Sequence, residues 1–225
     1  SKKIVVLAGS FNPITKAHRL ILENAINKVN ADLGLLVIVS DAYLNNKIIC
    51  KRKDKRPFII SEDVRKQLID SLNNEFPNIK YGGVELGGES PSTVKTLKRI
   101  QRKYKDYELY FSIGADKLKG FSHWNDIESF FSKINLIVYP REGFNIEETI
   151  NNDTLLTKIK EYKIKNTHFY EGNEDGLDPF LSKKQDLFLY FPNSSEFENL
   201  RIEPDYSIFF EQNSLDIFIK EELAG

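Results

Sequence analysis

Residues 9–18 read Gly-Ser-Phe-Asn-Pro-Ile-Thr-Lys-Ala-His and follow directly on the apolar run Ile-Val-Val-Leu-Ala at 4–8. A short β-branched run of this kind marks a buried strand, and residues 16–29 carry apolar side chains at helical spacing. The string is therefore a strand, a glycine turn and the mouth of a helix, whose N-terminal amides and dipole favour an anion. Gly9 lets the backbone approach a ligand closely, and Pro13 stiffens the turn. Thr15 and His18, with two residues between them, bring a hydroxyl and an imidazole to the same place. The plainer reading is an ordinary strand-to-helix connection holding a chance histidine. A Gly-Ser pair alone would carry no more than that, whereas the ten-residue string reads as a phosphate site.

These residues need a frame, and the chain supplies one. Apolar runs at 4–8, 35–40, 79–86, 108–113 and 135–139 predict strands. Helical spacing over 16–29, 61–75 and 91–104, and within 125–133, predicts the helices between them. Strands separated by helices of this length argue for an α/β fold, a Rossmann-like, doubly wound parallel sheet with crossover helices. Ligands in such sheets bind beyond the carboxyl ends of the strands, where the turns after strands one, two and four fall. Past residue 141 the pattern weakens. Residues 147–165 read as helical, 169–180 as an acidic loop, 187–191 as a last short strand and 207–222 as a closing helix. The expectation is a single domain over 1–225, with its core at 1–141 and a small C-terminal helical part within 142–225.

Composition narrows the classes of partner. Hydrophobic residues make up 40% of the 225, enough for a real core, and the net charge is −1. Nothing global points to nucleic acid or to a membrane surface. Cys50 is the only cysteine and cannot form an internal disulfide, which suits a reducing, cytoplasmic setting. No apolar run approaches transmembrane length, and the start, Ser-Lys-Lys, runs into a strand rather than a signal peptide. Methionine is absent from the whole sequence.

The first string resembles the opening signature of the nucleotidyltransferase superfamily that carries a Thr/His-x-x-His element. Its nearest likeness is the Gly-Ser-Phe-Asn-Pro-Ile-Thr form of eukaryotic-type nicotinamide mononucleotide adenylyltransferases. The resemblance implies that Gly9, Ser10 and Phe11 form a backbone cradle for ATP phosphates. It also implies that Thr15 and His18 stabilise charge on the reacting α-phosphate. Ala17 stands where bacterial relatives usually have glycine.

Residues 112–124, Ser-Ile-Gly-Ala-Asp-Lys-Leu-Lys-Gly-Phe-Ser-His-Trp, are similar to the family's Gly-Ala-Asp-x-Leu-x-x-Phe-x-x-Trp segment. The resemblance gives Gly114 and Asp116 to the adenosine moiety and Trp124 to stacking on the pyridine ring. A flat cationic ring suits an indole face, although a lone tryptophan also reads as a core anchor. His123 and His168 read as surface or loop histidines. Residues 85–97 resemble a segment that binds the pyridine substituent, with Thr93, Thr96 and Leu97 matching and Ser92 in the tyrosine position. Either a carboxylate or an amide could meet amide donors there, so acid and amide remain open.

Asp41-Ala42-Tyr43 resembles a segment followed by lysines, making Lys47 the candidate for the substrate phosphate. The basic run Lys51-Arg52-Lys53, with Lys55 and Arg56, reads as a solvated loop. Arg65 and Arg141 stand where relatives carry arginines. The family's closing Ser-Ser-Thr-x-x-Arg is altered to Ser194-Ser195-Glu196, with Asn199 at the arginine position and Arg201 two places later. Ser194, Ser195 and Arg201 are its candidate phosphate ligands.

The resemblance implies an adenylyltransferase that joins ATP to nicotinate or nicotinamide mononucleotide and releases pyrophosphate. Mg²⁺ would bridge the phosphates without dedicated protein ligands. Expected partners are the two substrates, with no nucleic acid or membrane, and a homo-oligomer is left open. Two alternatives stay open: another nucleotidyltransferase, acting on phosphopantetheine or using CTP, and a nucleotide-binding relative without catalysis. No Gly-x-x-x-x-Gly-Lys-Ser/Thr string is present, which disfavours a kinase-type P-loop.

Overall fold

The first strand, β1 (Lys2–Gly9), buries Ile4, Val5, Val6 and Leu7 in succession, as a strand covered on both faces must. The computed structural model describes residues 2–12, 14, 16–51, 60–118, 120, 135–139, 144–154, 156–157 and 189–190. After β1 the chain runs through α1 (Lys16–Val29), β2 (Leu33–Ile38), α2 (Asp41–Lys51), α3 (Glu62–Glu75) and β3 (Ile79–Val84). It continues as α4 (Thr93–Lys103), β4 (Tyr107–Gly114), α5 (Ala115–Leu118), β5 (Asn135–Tyr139), α6 (Ile146–Asn151) and β6 (Leu189–Tyr190). The sheet order is β3-β2-β1-β4-β5-β6, with every described pairing parallel.

Alternate residues of the strands feed two cores. Val5, Leu7, Leu36, Ile38 and Tyr110 face the stripe Ile21, Leu22, Ala25, Ile26 of α1 and Leu68, Ile69, Leu72 of α3. Ile4, Val6, Leu35, Val37 and Phe111 face Val94, Leu97 and Ile100 of α4, with α5 and α6 beside them. Helices on both faces of a parallel sheet give the doubly wound architecture expected from the alternation. The strand order reverses between β1 and β4, and their carboxyl ends flank the crevice where such folds take ligands.

Several boundaries differ from the sequence reading for local reasons. β2 spans Leu33–Ile38 rather than 35–40, because Val39 makes the last ladder bond, to the Gly9 carbonyl, and Ser40 then turns to cap a helix. That helix, α2, was expected only as an Asp-Ala-Tyr segment followed by a basic loop. Ser40 Oγ accepts from the Tyr43 amide at 3.1 Å, and its carbonyl accepts from Leu44, so the chain winds at once into helix. β3 ends at Val84 instead of 86, after a register shift against β2 and a left-handed Gly83 with φ 95°. Arg99 of α4 spans that bulge, donating to the carbonyls of Val84 and Gly82.

The helical segment expected at 147–165 breaks after Asn151. Asp153 starts a new turn there, its carboxylate accepting from the Leu156 amide at 2.9 Å. The strand expected at 187–191 is present as β6. The helices expected within 125–133 and at 207–222, and the loop at 169–180, lie outside the described residues.

Candidate active site

The turn after β1 is fixed from two sides by the start of α3. Arg65 is wholly buried, an unusual place for a guanidinium, and its side chain bonds three loop and strand-end carbonyls and the first residue of α2. It donates to the carbonyls of Ile60 at 2.9 Å, Ser10 at 3.0 Å and Val39 at 2.8 Å, and to Asp41 Oδ1 at 2.9 Å. Next to it, the Ile60 amide donates to Asn12 Oδ1 at 2.7 Å. One buried cation therefore ties the phosphate-loop candidate to the end of β2 and the beginning of α2.

Asp41 and Glu62, first residues of α2 and α3, complete this tie. The Asp41 amide donates to Glu62 Oε1 at 2.7 Å, and the Glu62 amide donates to Asp41 Oδ1 at 2.9 Å. Each carboxylate thus satisfies the other helix's N-terminus, where negative charge is favoured.

His18 lies in the first turn of α1 and is half-buried. Its ring meets that of Phe11 edge to face, with centroids 5.0 Å apart and planes at 79°. Gly9 closes β1 beneath the same ring. Across the switch point, Gly114 ends β4. A β-carbon there would lie 2.5 Å from Asp116 Oδ1 and 3.0 Å from the Tyr139 ring, so only glycine allows Asp116 to fold back over the strand end.

The turn between β3 and α4 is also locked. Thr96 Oγ1 accepts from the Leu86 amide and donates to the Ser92 carbonyl, while Ser40 Oγ donates to Gly88. Thr93 Oγ1 donates to Glu85 Oε1 at 3.0 Å. Burial pushes the Glu85 carboxyl above its ordinary range, with the Thr93 hydroxyl and the Lys117 charge working against that rise. Because the folded state binds this proton more tightly than the unfolded chain, ionised Glu85 costs stability as pH rises past 4.5. Glu85→Gln should raise the melting temperature at pH 7, the advantage shrinking as the pH falls toward 4.5 and absent below 4.5. Equal destabilisation at both pH values would contradict the buried-charge account.

The structure thus gathers Gly9, Ser10, Phe11, His18, Thr93, Gly114 and Asp116 at the carboxyl ends of parallel strands, with half-buried Lys47 in the second turn of α2. Thr15, Trp124, Arg141, Ser194, Ser195 and Arg201 lie outside the described residues. Sequence reasoning gave Arg65 only a position, and missed Asn12 and Glu85 as fastening groups. The signal for Arg65 was available: it sits in register with Leu68, Ile69 and Leu72 on the apolar face of α3.

The cytidylyltransferase-like family model matches residues 6–172, from the middle of β1 to beyond β5. The chain belongs to that family. A Clostridium novyi protein described as a probable nicotinate-nucleotide adenylyltransferase is 27% identical over 165 residues, or 72% of this chain and 78% of its own. A Flavobacterium psychrophilum protein of the same description is 26% identical over 191 residues, spanning 81% of this chain and 93% of its own. The solved nicotinic acid mononucleotide adenylyltransferase of Plasmodium falciparum, in complex with NaAD, superposes with a TM-score of 0.57 at 20% identity. It covers 99% of this chain and 97% of that one, and supports the family's fold. Among the described residues, no helix is long and apolar enough to cross a membrane, and no group of three or more His, Cys, Asp or Glu could hold a metal ion.

Proposed function

We propose that this protein transfers AMP from ATP to nicotinate or nicotinamide mononucleotide. The observation that carries the reading is the clamped Gly9–Asn12 turn, with His18 at the mouth of α1, facing Gly114 and Asp116 across the strand-order switch point. The description shared by the Clostridium and Flavobacterium relatives supports it. The mononucleotide 5′-phosphate oxygen forms a bond to the α-phosphorus, the bond from that phosphorus to the bridging oxygen breaks, and pyrophosphate leaves. No side chain is needed as nucleophile, so positioning and charge stabilisation supply the catalysis.

In this scheme the backbone of Gly9, Ser10 and Phe11 cradles the ATP phosphates, and His18 with Thr15 stabilises the pentavalent α-phosphorus. Gly114 and Asp116 hold the adenosine, with Ser194, Ser195 and Arg201 on the outer phosphates. Lys47 and Arg141 face the mononucleotide phosphate, Thr93 its pyridine substituent and Trp124 its ring. No group among the described residues would hold Mg²⁺ by itself, and bound together with ATP it would supply charge that offsets the triphosphate. ATP as substrate accords with a cytoplasmic setting.

ATP labelled at the α-phosphorus should pass its label to the dinucleotide, and γ-labelled ATP should pass its label to pyrophosphate. Transfer of the γ-label to the mononucleotide would mean phosphoryl transfer and overturn the reading. Trp124→Ala should weaken mononucleotide binding by about 1–3 kcal/mol in a calorimetric titration, as expected for lost ring stacking. Unchanged affinity would return Trp124 to a packing role.

A further inference from the structure

We propose that the side chain of Phe11 is a positioning residue for His18, transmitting the clamped geometry of the phosphate loop to the imidazole. The inference rests on the function proposed above and adds to it a role for a ring that the backbone cradle does not use.

Phe11 has φ 44°, and the only other non-glycine residue with positive φ among those described is Asn30. Asparagine just past the end of α1 is an ordinary occupant of left-handed backbone, whereas a bulky aromatic is not. Such a conformation persists where the surroundings over-determine it. Here they do. Arg65 holds the Ser10 carbonyl on one side, and the Ile60 amide holds the Asn12 side chain on the other. Both anchors come from the segment that opens α3.

The result is a ring with little freedom. Phe11 is 3% exposed and packs in the core shared with α1 and α3. A β-carbon at Gly9 would lie 3.1 Å from its Cε1 and Cζ, so the ring is seated against the end of β1 itself. Its remaining contact of note is the edge-to-face meeting with His18, at 5.0 Å. Aromatic pairs prefer this geometry, and a buried ring with two torsions holds it at little entropic cost. A backbone conformation that phenylalanine disfavours thus aims its ring at the imidazole. Loosening that ring leaves His18 on its helix but frees its plane, and small misplacements of a group acting in the transition state are costly.

The test compares wild type, Phe11→Leu, Phe11→Gly, His18→Ala and the Phe11→Leu/His18→Ala double variant in the full chain, with ATP, Mg²⁺ and nicotinate mononucleotide. Phe11→Leu should lower kcat by roughly tenfold to a hundredfold, with both KM values within about threefold of wild type. Phe11→Gly relaxes the backbone yet should recover none of that loss. In the His18→Ala background, Phe11→Leu should cost less than about twofold more, because two residues acting as one unit are not additive. A kcat within about twofold of wild type for folded Phe11→Leu, or a full additional loss in the double variant, would overturn the proposal.

Should Phe11→Leu fail to fold, Phe11→Met, flexible and apolar, carries the same comparison. A readout without turnover separates the two ideas. In proton NMR, the His18 ring signals, assigned by their loss in His18→Ala from the chain's three histidines, should move upon Phe11→Leu as the aromatic shielding disappears. If the signals move but wild type transfers no adenylyl group, the proposed function fails while the contact stands. Unmoved signals sink the contact, whatever the activity.

Discussion

His18→Ala should reduce turnover at least roughly a hundredfold while leaving mononucleotide affinity within about threefold, the pattern of a group acting mainly in the transition state. The geometry favours so clean a split. His18 stands in the first turn of α1, ahead of the buried stripe Ile21, Leu22, Ala25 and Ile26, so its loss should leave the helix docked. What goes is the imidazole at the mouth of α1, the group proposed to stabilise charge on the α-phosphate. Single-turnover kinetics under saturating ATP, paired with a titration of mononucleotide, would read both quantities. Near-normal turnover would remove His18 from the chemistry and leave the clamped turn as a binding device alone.

Arg65→Met should have the largest effect on the fold. The side chain is 0% exposed, and its loss leaves the carbonyls of Ile60, Ser10 and Val39 without that donor. Its partner Asp41 keeps 41% side-chain exposure, so the ion pair itself contributes modestly and the stranded carbonyls dominate. A loss on the order of 3 kcal/mol follows, or roughly 6–12 °C in melting temperature for a chain of this size. Activity should fall further than stability accounts for, because Ser10 belongs to the turn after β1 and Asp41 opens α2. Arg65→Lys keeps the charge but not the planar fork, so it should recover only part of the loss. An Arg65→Met variant with unchanged denaturant midpoint would show that the carbonyls find other donors.

Much of the frame was legible because its signals are local. Four successive buried residues in β1 and the stripes of α1 and α3 write their periods directly into the sequence. The alternation of those periods then fixes a parallel sheet, and the sheet fixes where a ligand goes. The string Gly9 to His18 stood out for the same reason, since turn, proline and helix mouth are neighbours in the chain.

What escaped reading depends on partners far apart. Ser40 caps α2 directly after Val39 closes the β1–β2 ladder on Gly9, so the segment that the sequence showed only as an Asp-Ala-Tyr string begins as helix. Glu85 appeared to continue a strand through 86. The bulge at Gly83 ends β3 earlier and leaves the carboxyl buried against Thr93. Phe11 gave no hint of left-handed backbone, because glycine or asparagine is the usual sign of it. Arg65, a cation on an apolar face, was visible as an anomaly, and only the fold shows which carbonyls it serves.

The central claim is adenylyl transfer to a pyridine mononucleotide, and pyrophosphate release tests it most directly. The full chain would be assayed with ATP and Mg²⁺ in parallel with nicotinate mononucleotide, nicotinamide mononucleotide and phosphopantetheine. The account predicts release with at least one pyridine nucleotide, in excess of that with phosphopantetheine, and the ratio between acid and amide would set the specificity. Release with phosphopantetheine alone, or none with any acceptor from folded protein, would contradict it.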